Sequence, residues 1–73
     1  MDSPDAPSCV AEIGVVAGLV WHALEGNEPV SISKLIKTIE APRDIVLQAV
    51  GWLAREDKIW IEATKRGRLI SLR

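Results

Sequence analysis

The sequence predicts a mainly α member of the α+β class, with three helices followed by a C-terminal β-hairpin. Three observations predict it. Apolar residues recur at helical spacing through residues 9–25, 34–39 and 42–56. The period then changes to that of strands over residues 58–72, with Gly67 dividing the stretch. Gly26, Pro29 and Pro42 fall where the helical runs stop.

The elements follow in order. Residues 1–8 hold Pro4, Pro7, two serines and two aspartates and read as a disordered arm, leaving one domain over residues 9–73. Ser8 is positioned to cap the first helix, expected from Cys9 to Glu25, because its hydroxyl reaches an amide of the first turn. At 100° per residue, Ile13, Val16, Ala17, Val20 and Leu24 share one face, with Val10 and Trp21 at its edge. Val15 and Leu19 lie off that stripe, and Gly14, Gly18 and His22 form a third strip. A helix apolar almost all round needs burial on more than one side. A chain of 73 residues has too little material for that, which predicts a homodimer with Val15, Leu19, His22 and Leu47 at its interface.

Residues 26–29, Gly-Asn-Glu-Pro, form a turn, and Val30-Ser31-Ile32 reads as a minor strand. Ser33 is the cap expected for a second helix over Lys34–Ile39, with Leu35, Ile36 and Ile39 facing inward. Pro42 suits the first turn of a third helix, where its missing N–H matters least. That helix runs to about Glu56 and turns Ile45, Val46, Ala49, Val50 and Leu53 inward. Asp44, Gln48, Gly51 and Arg55 share a narrow polar strip bordered by Leu47 and Trp52. Lys58–Glu62 and Arg68–Leu72 read as strands joined by a turn at Ala63–Gly67. Phe and Tyr are absent, so Trp21, Trp52 and Trp60 supply all aromatic bulk and are expected to pack near the junction of the third helix and the hairpin.

Helix, short strand, helix, tight turn, helix and hairpin is the element order of a winged helix-turn-helix, the hairpin being the wing. The chain resembles the small stand-alone winged helix-turn-helix domains of bacteria and archaea whose function is unassigned. The resemblance covers about residues 12–72. It is carried by IGVVAGLVWHALEG in the first helix and, more specifically, by AVGWLAREDKIW, where an acid-rich helix end turns into the first wing strand. It implies a compact domain able to dimerise, and DNA binding by fold.

Charge is placed unevenly. Residues 1–33 hold five acids (Asp2, Asp5, Glu12, Glu25, Glu28) and no Lys or Arg, giving −5. Residues 34–73 hold nine cations against five acids, giving +4, so a net −1 conceals a basic half. The basic half supplies the candidate DNA contacts. Arg43 and Gln48 on the third helix would meet bases, since Arg pairs with guanine and Gln with adenine. Lys65, Arg66 and Arg68 on the wing, with Lys34 and Lys37 on the second helix, would meet phosphates. Two readings stand open at this point. One is duplex DNA binding with a role in transcription regulation. The other is a protein-interaction module that uses the surplus apolar surface and binds a protein partner.

Several classes are excluded as expectations. One cysteine, Cys9, allows no intrachain disulfide, and with the single His22 it cannot complete a four-ligand zinc site, so no metal or cofactor is expected. His22 has no carboxylate at a catalytic spacing, and no Gly-rich phosphate loop occurs, so no enzyme, no catalytic residue and no small-molecule substrate are expected. The apolar run Val10–Leu24 contains Glu12 and is too short to span a membrane. The N-terminus lacks the cations of a secretory signal, which makes the cytoplasm the expected location.

Overall fold

A computed structural model describes residues 9–26 and 29–73. The elements are α1 (Cys9–Leu24), β1 (Val30–Ser31), α2 (Ile32–Thr38), α3 (Arg43–Arg55), β2 (Ile59–Thr64) and β3 (Gly67–Leu72). The α+β class and the winged helix-turn-helix order stand as expected. The arm expected over residues 1–8 and its cap Ser8 lie outside the described residues, as does part of the turn before β1.

The three strands form one antiparallel sheet in the order β1-β3-β2. The hairpin pairs Thr64 with Gly67 at its closed end and Ile59 with Leu72 at its open end. β1 adds two residues on the far side of β3, pairing Val30 with Ile70 and Ser31 with Leu69. The wing is thereby tied to the start of the helix-turn-helix.

The core lies where α1, α2, α3 and the sheet meet. Val16, Ala17, Val20 and Leu24 of α1 are buried against Ile45, Val46, Ala49, Val50 and Leu53 of α3. Leu35 and Ile39 close one end, and Ile59 and Ile70 close the sheet side. The inward arc read from α3's spacing is buried at all five positions. Burying an aliphatic side chain of this size contributes roughly 1.5–3 kcal/mol, so this layer carries most of the fold's stability.

Local signals explain the element ends. α2 begins earlier than the expected Lys34, because Ser31 and not Ser33 is its cap. Ser31 has extended backbone (φ −68°, ψ 149°), and its hydroxyl accepts the Lys34 amide at 3.1 Å. Pro42 precedes α3 instead of opening it. Its carbonyl accepts the Val46 amide at 3.1 Å while its own ψ of 141° stays outside the helix.

The end of α3 is a Schellman motif. The Asp57 amide bonds the Ala54 carbonyl at 3.1 Å and the Lys58 amide bonds the Leu53 carbonyl at 3.0 Å. The residue placed in the left-handed region there is Asp57, with φ 60°, where glycine is the usual occupant. The hairpin turn is shorter than expected. Strand pairing continues through Ala63 and Thr64, leaving only Lys65 and Arg66 between the strands.

The aromatic expectation is corrected. Trp21 is half-buried, but Trp52 is 49% exposed and Trp60 55% exposed, and neither is a core residue. Aliphatic residues fill the interior without them. Trp52 lies at the border of α3's buried arc, where it lines a surface groove with Trp21. Trp60 alternates outward on β2, beside the inward Ile59. Val10, expected at the edge of the α1 stripe, is exposed.

Candidate nucleic-acid interface

The second and third helices meet across four residues, Ile39 to Pro42, a length typical of a helix-turn-helix. The exposed arc of α3 carries Arg43, Asp44, Leu47, Gln48, Gly51 and Arg55. Arg43 and Gln48, the two expected base-reading residues, are both exposed and lie on this arc near its N-terminal half. Asp44 has a structural task. Its Oδ1 accepts the Ile45 amide at 2.9 Å in the first turn, where the helix dipole favours negative charge.

The wing presents its cations at the closed end of the hairpin. Lys65 and Arg66 form the turn, and Arg68 follows one residue into β3. The turn is held by Thr64, whose hydroxyl donates to the Gly67 carbonyl at 3.0 Å and accepts the Arg66 amide at 3.3 Å. Gly67 adopts φ 143°, which a residue with a side chain rarely occupies. The tip is thus set by hydrogen bonds and a glycine, and its charged side chains are left exposed.

The fold brings the wing to the helix-turn-helix. Ser31 pairs with Leu69 in the sheet and caps α2, so one residue belongs to both units. Ser31 lines a groove with Thr64, Lys65, Arg66, Gly67, Arg68 and Leu69. On the other side it lines a second groove with Lys34, Leu35 and Thr38. Ser31 is thus common to a groove lined by Lys34 and a groove lined by the wing cations. Lys37, in the last turn of α2, is exposed but lines neither groove. Spacing alone gave each cation, but not Ser31, whose double role appears only once β1 is seen to pair with β3.

The residues expected at a dimer interface divide. Val15 (68% exposed), Leu19 (46% exposed) and His22 share the outer side of α1. His22 pairs with Glu25 at 3.5 Å, and both are solvent-exposed. Leu47 belongs to the exposed arc of α3. Leu19 and His22 line a groove with Thr38, Ile39 and Glu40 at the end of α2. A further groove, between α1 and α3, is lined by Gly14, Gly18, Trp21, Trp52 and Lys58. Sequence reading missed it, since the three tryptophans looked like core.

Among the described residues no group of His, Cys, Asp and Glu is placed to hold a metal ion. No helix among them is long and apolar enough to cross a membrane.

A helix-turn-helix followed by a hairpin tied back through β1 defines a winged helix-turn-helix domain. The chain belongs to the winged helix-turn-helix domain family DUF2582, whose model matches residues 9–72. It is 39% identical over 64 residues to the uncharacterised protein MJ1608 of Methanocaldococcus jannaschii, covering 85% of this chain and 91% of that protein. Among solved structures it is similar to protein BT2368 of Bacteroides thetaiotaomicron, determined by NMR in solution. The TM-score is 0.72 at 38% identity, over 82% of this chain and 73% of the other.

Proposed function

We propose that this domain is a non-catalytic DNA-binding module acting in transcription regulation. The observation that carries the reading is the surface around Ser31, where the wing cations Lys65, Arg66 and Arg68 adjoin the start of α2 with Lys34. In this reading α3 enters the major groove and Arg43 and Gln48 meet base edges. Lys34, Lys37 and the wing cations neutralise phosphates, which position the domain without reading sequence. The family description and the fold support the reading.

The test is a salt titration of binding to duplex DNA. Each neutralised phosphate releases condensed counterions, so affinity falls linearly with salt on logarithmic axes. Replacing Lys65, Arg66 and Arg68 together by Ala flattens the slope and weakens binding to all sequences alike. Gln48→Ala alters sequence preference and leaves the slope unchanged. A triple variant that binds duplex as tightly as the parent overturns the proposal.

A second reading, docking to a protein partner, is favoured by the apolar groove with Trp21 and Trp52 on its walls and Lys58 at its rim. On that reading the parent binds duplex no tighter than about 10⁻⁴ M at physiological salt, and Trp52→Ala removes partner capture.

A further inference from the structure

The outer edge of β2 is apolar on both faces of the strand. Trp60 is 55% exposed on one face and Ile61 40% exposed on the other. In the sheet order β1-β3-β2 this strand is terminal, so its outer backbone groups have no strand beside them among the described residues. Proteins usually blunt such an edge with proline, inward charges or a bulge. The run Ile59-Trp60-Ile61 has no proline and no charge, and its pairing with β3 proceeds without a bulge.

The direction of each backbone group follows from two observations. The Arg73 amide donates to the Lys58 carbonyl at 3.1 Å, and the two-residue turn makes Thr64 and Gly67 a hydrogen-bonded pair. Bonding alternates along an antiparallel ladder, so Lys58, Trp60, Glu62 and Thr64 turn their amides and carbonyls toward β3. Ile59, Ile61 and Ala63 turn theirs to the open edge.

We propose that this edge pairs with the same edge of a second copy, antiparallel and centred on Trp60. In that register Ile59 and Ile61 exchange hydrogen bonds with Ile61 and Ile59 of the second copy, using the groups that point outward. Trp60 faces Trp60 across a non-hydrogen-bonded position, where side chains come closest. Lys58 then faces Glu62 of the second copy, and the two-fold axis repeats that opposite-charge pair. A register centred on Ile61 sets Trp60 against Glu62. One centred on Glu62 sets two glutamates against each other. Charge complementarity thus selects the Trp60 register. The pairing makes one six-stranded sheet and covers both exposed Ile61 side chains beside the buried Ile59. The outer face of α1, with Val15 and Leu19, is the competing surface for a second copy.

The experiment measures mass by sedimentation equilibrium at tens of micromolar and cross-linking by cysteine. The parent sediments at twice its 8.0 kDa chain mass. Lys58→Glu and Glu62→Lys each weaken the dimer roughly tenfold, because two attractive pairs become repulsive. The double variant carrying both changes restores it, which a folding defect does not do. Ile61→Pro removes an outward N–H that β3 does not use and gives a monomer with the parent's circular dichroism. In a Cys9→Ser background, Trp60→Cys cross-links to itself on mild oxidation, since facing non-hydrogen-bonded residues sit within disulfide range. Glu62→Cys does not. A monomeric parent overturns the proposal. So does a dimer that the charge variants leave unchanged and Leu19→Glu dissociates, which places the contact on α1.

Discussion

The Arg73 guanidinium sits 4.2 Å from the centre of the Trp60 ring. The same side chain reaches the Asp57 carboxylate at 3.1 Å, so one arginine joins the wing to the end of α3. A cation over an exposed indole contributes about 0.5–1 kcal/mol. Arg73→Ala is therefore expected to lower the melting temperature by a few degrees, with a shift in Trp60 fluorescence. Arg73→Lys should recover part of the loss. A melting curve indistinguishable from the parent's with unchanged fluorescence shows that the stacked arrangement is not held in solution.

Asp57 occupies the left-handed region at the close of α3. A residue with a Cβ is disfavoured there by roughly 1–2 kcal/mol, and asparagine and aspartate tolerate it best. Asp57→Ala should destabilise measurably in chemical denaturation. Asp57→Gly should be the more stable of the two by about 1 kcal/mol, although both lose the pair with Arg73. Equal stability of the two variants contradicts the assigned backbone conformation.

Ser31 and Ser33 give a sharp contrast. Removing a capping hydroxyl costs about 1 kcal/mol, which moves the melting point of a domain this small by roughly 4–8 °C. Ser31→Ala should show that loss and Ser33→Ala almost none. The opposite order would move the start of α2 back to the position its sequence suggests.

Gly51 lies on the exposed arc of α3, and a Cβ built there meets nothing within 4 Å. Ala is the better helix former by roughly 1 kcal/mol. Gly51→Ala should therefore raise the melting temperature. If α3 enters a groove of DNA, the added methyl narrows the approach, and affinity for duplex should fall while stability rises. Parallel gains in both would show that Gly51 lies outside the contact.

Aliphatic side chains, not the tryptophans, set the scale of the core. Val46 is fully buried, and Val46→Ala deletes two buried carbons and should cost more than Trp52→Ala deletes from a half-exposed ring. Urea midpoints of the two variants decide it.

Helix faces and strand periods were legible because each depends on spacing along one element. Ile45, Val46, Ala49, Val50 and Leu53 could be assigned inward from α3 alone, as could Val16, Ala17, Val20 and Leu24 from α1. The misassignments depend on partners distant in sequence. Size argues for Trp52 and Trp60 inside, yet the aliphatic layer between α1 and α3 closes without them. Spacing points to Ser33 as the cap because Val30-Ser31-Ile32 reads as one strand, whereas the strand ends at Ser31 and the same residue caps α2. Every cation of the candidate interface could be found by composition. Their gathering around Ser31 could not, since it follows from the register of Ser31 against Leu69.

That register also governs how the chain reaches its native form. The pairing of Val30 with Ile70 joins residues forty positions apart, whereas the β2–β3 hairpin closes over two. The entropy of closing the larger loop is roughly 3 kcal/mol before any contact compensates it. The hairpin needs no such closure and forms on the microsecond scale. Joining β1 to β3 is therefore expected late, after the folding transition state. Val30→Ala should accelerate unfolding and leave the refolding rate nearly unchanged, a φ-value near zero in a chevron analysis. A φ-value near one at Val30 would mean instead that the clasp nucleates the domain.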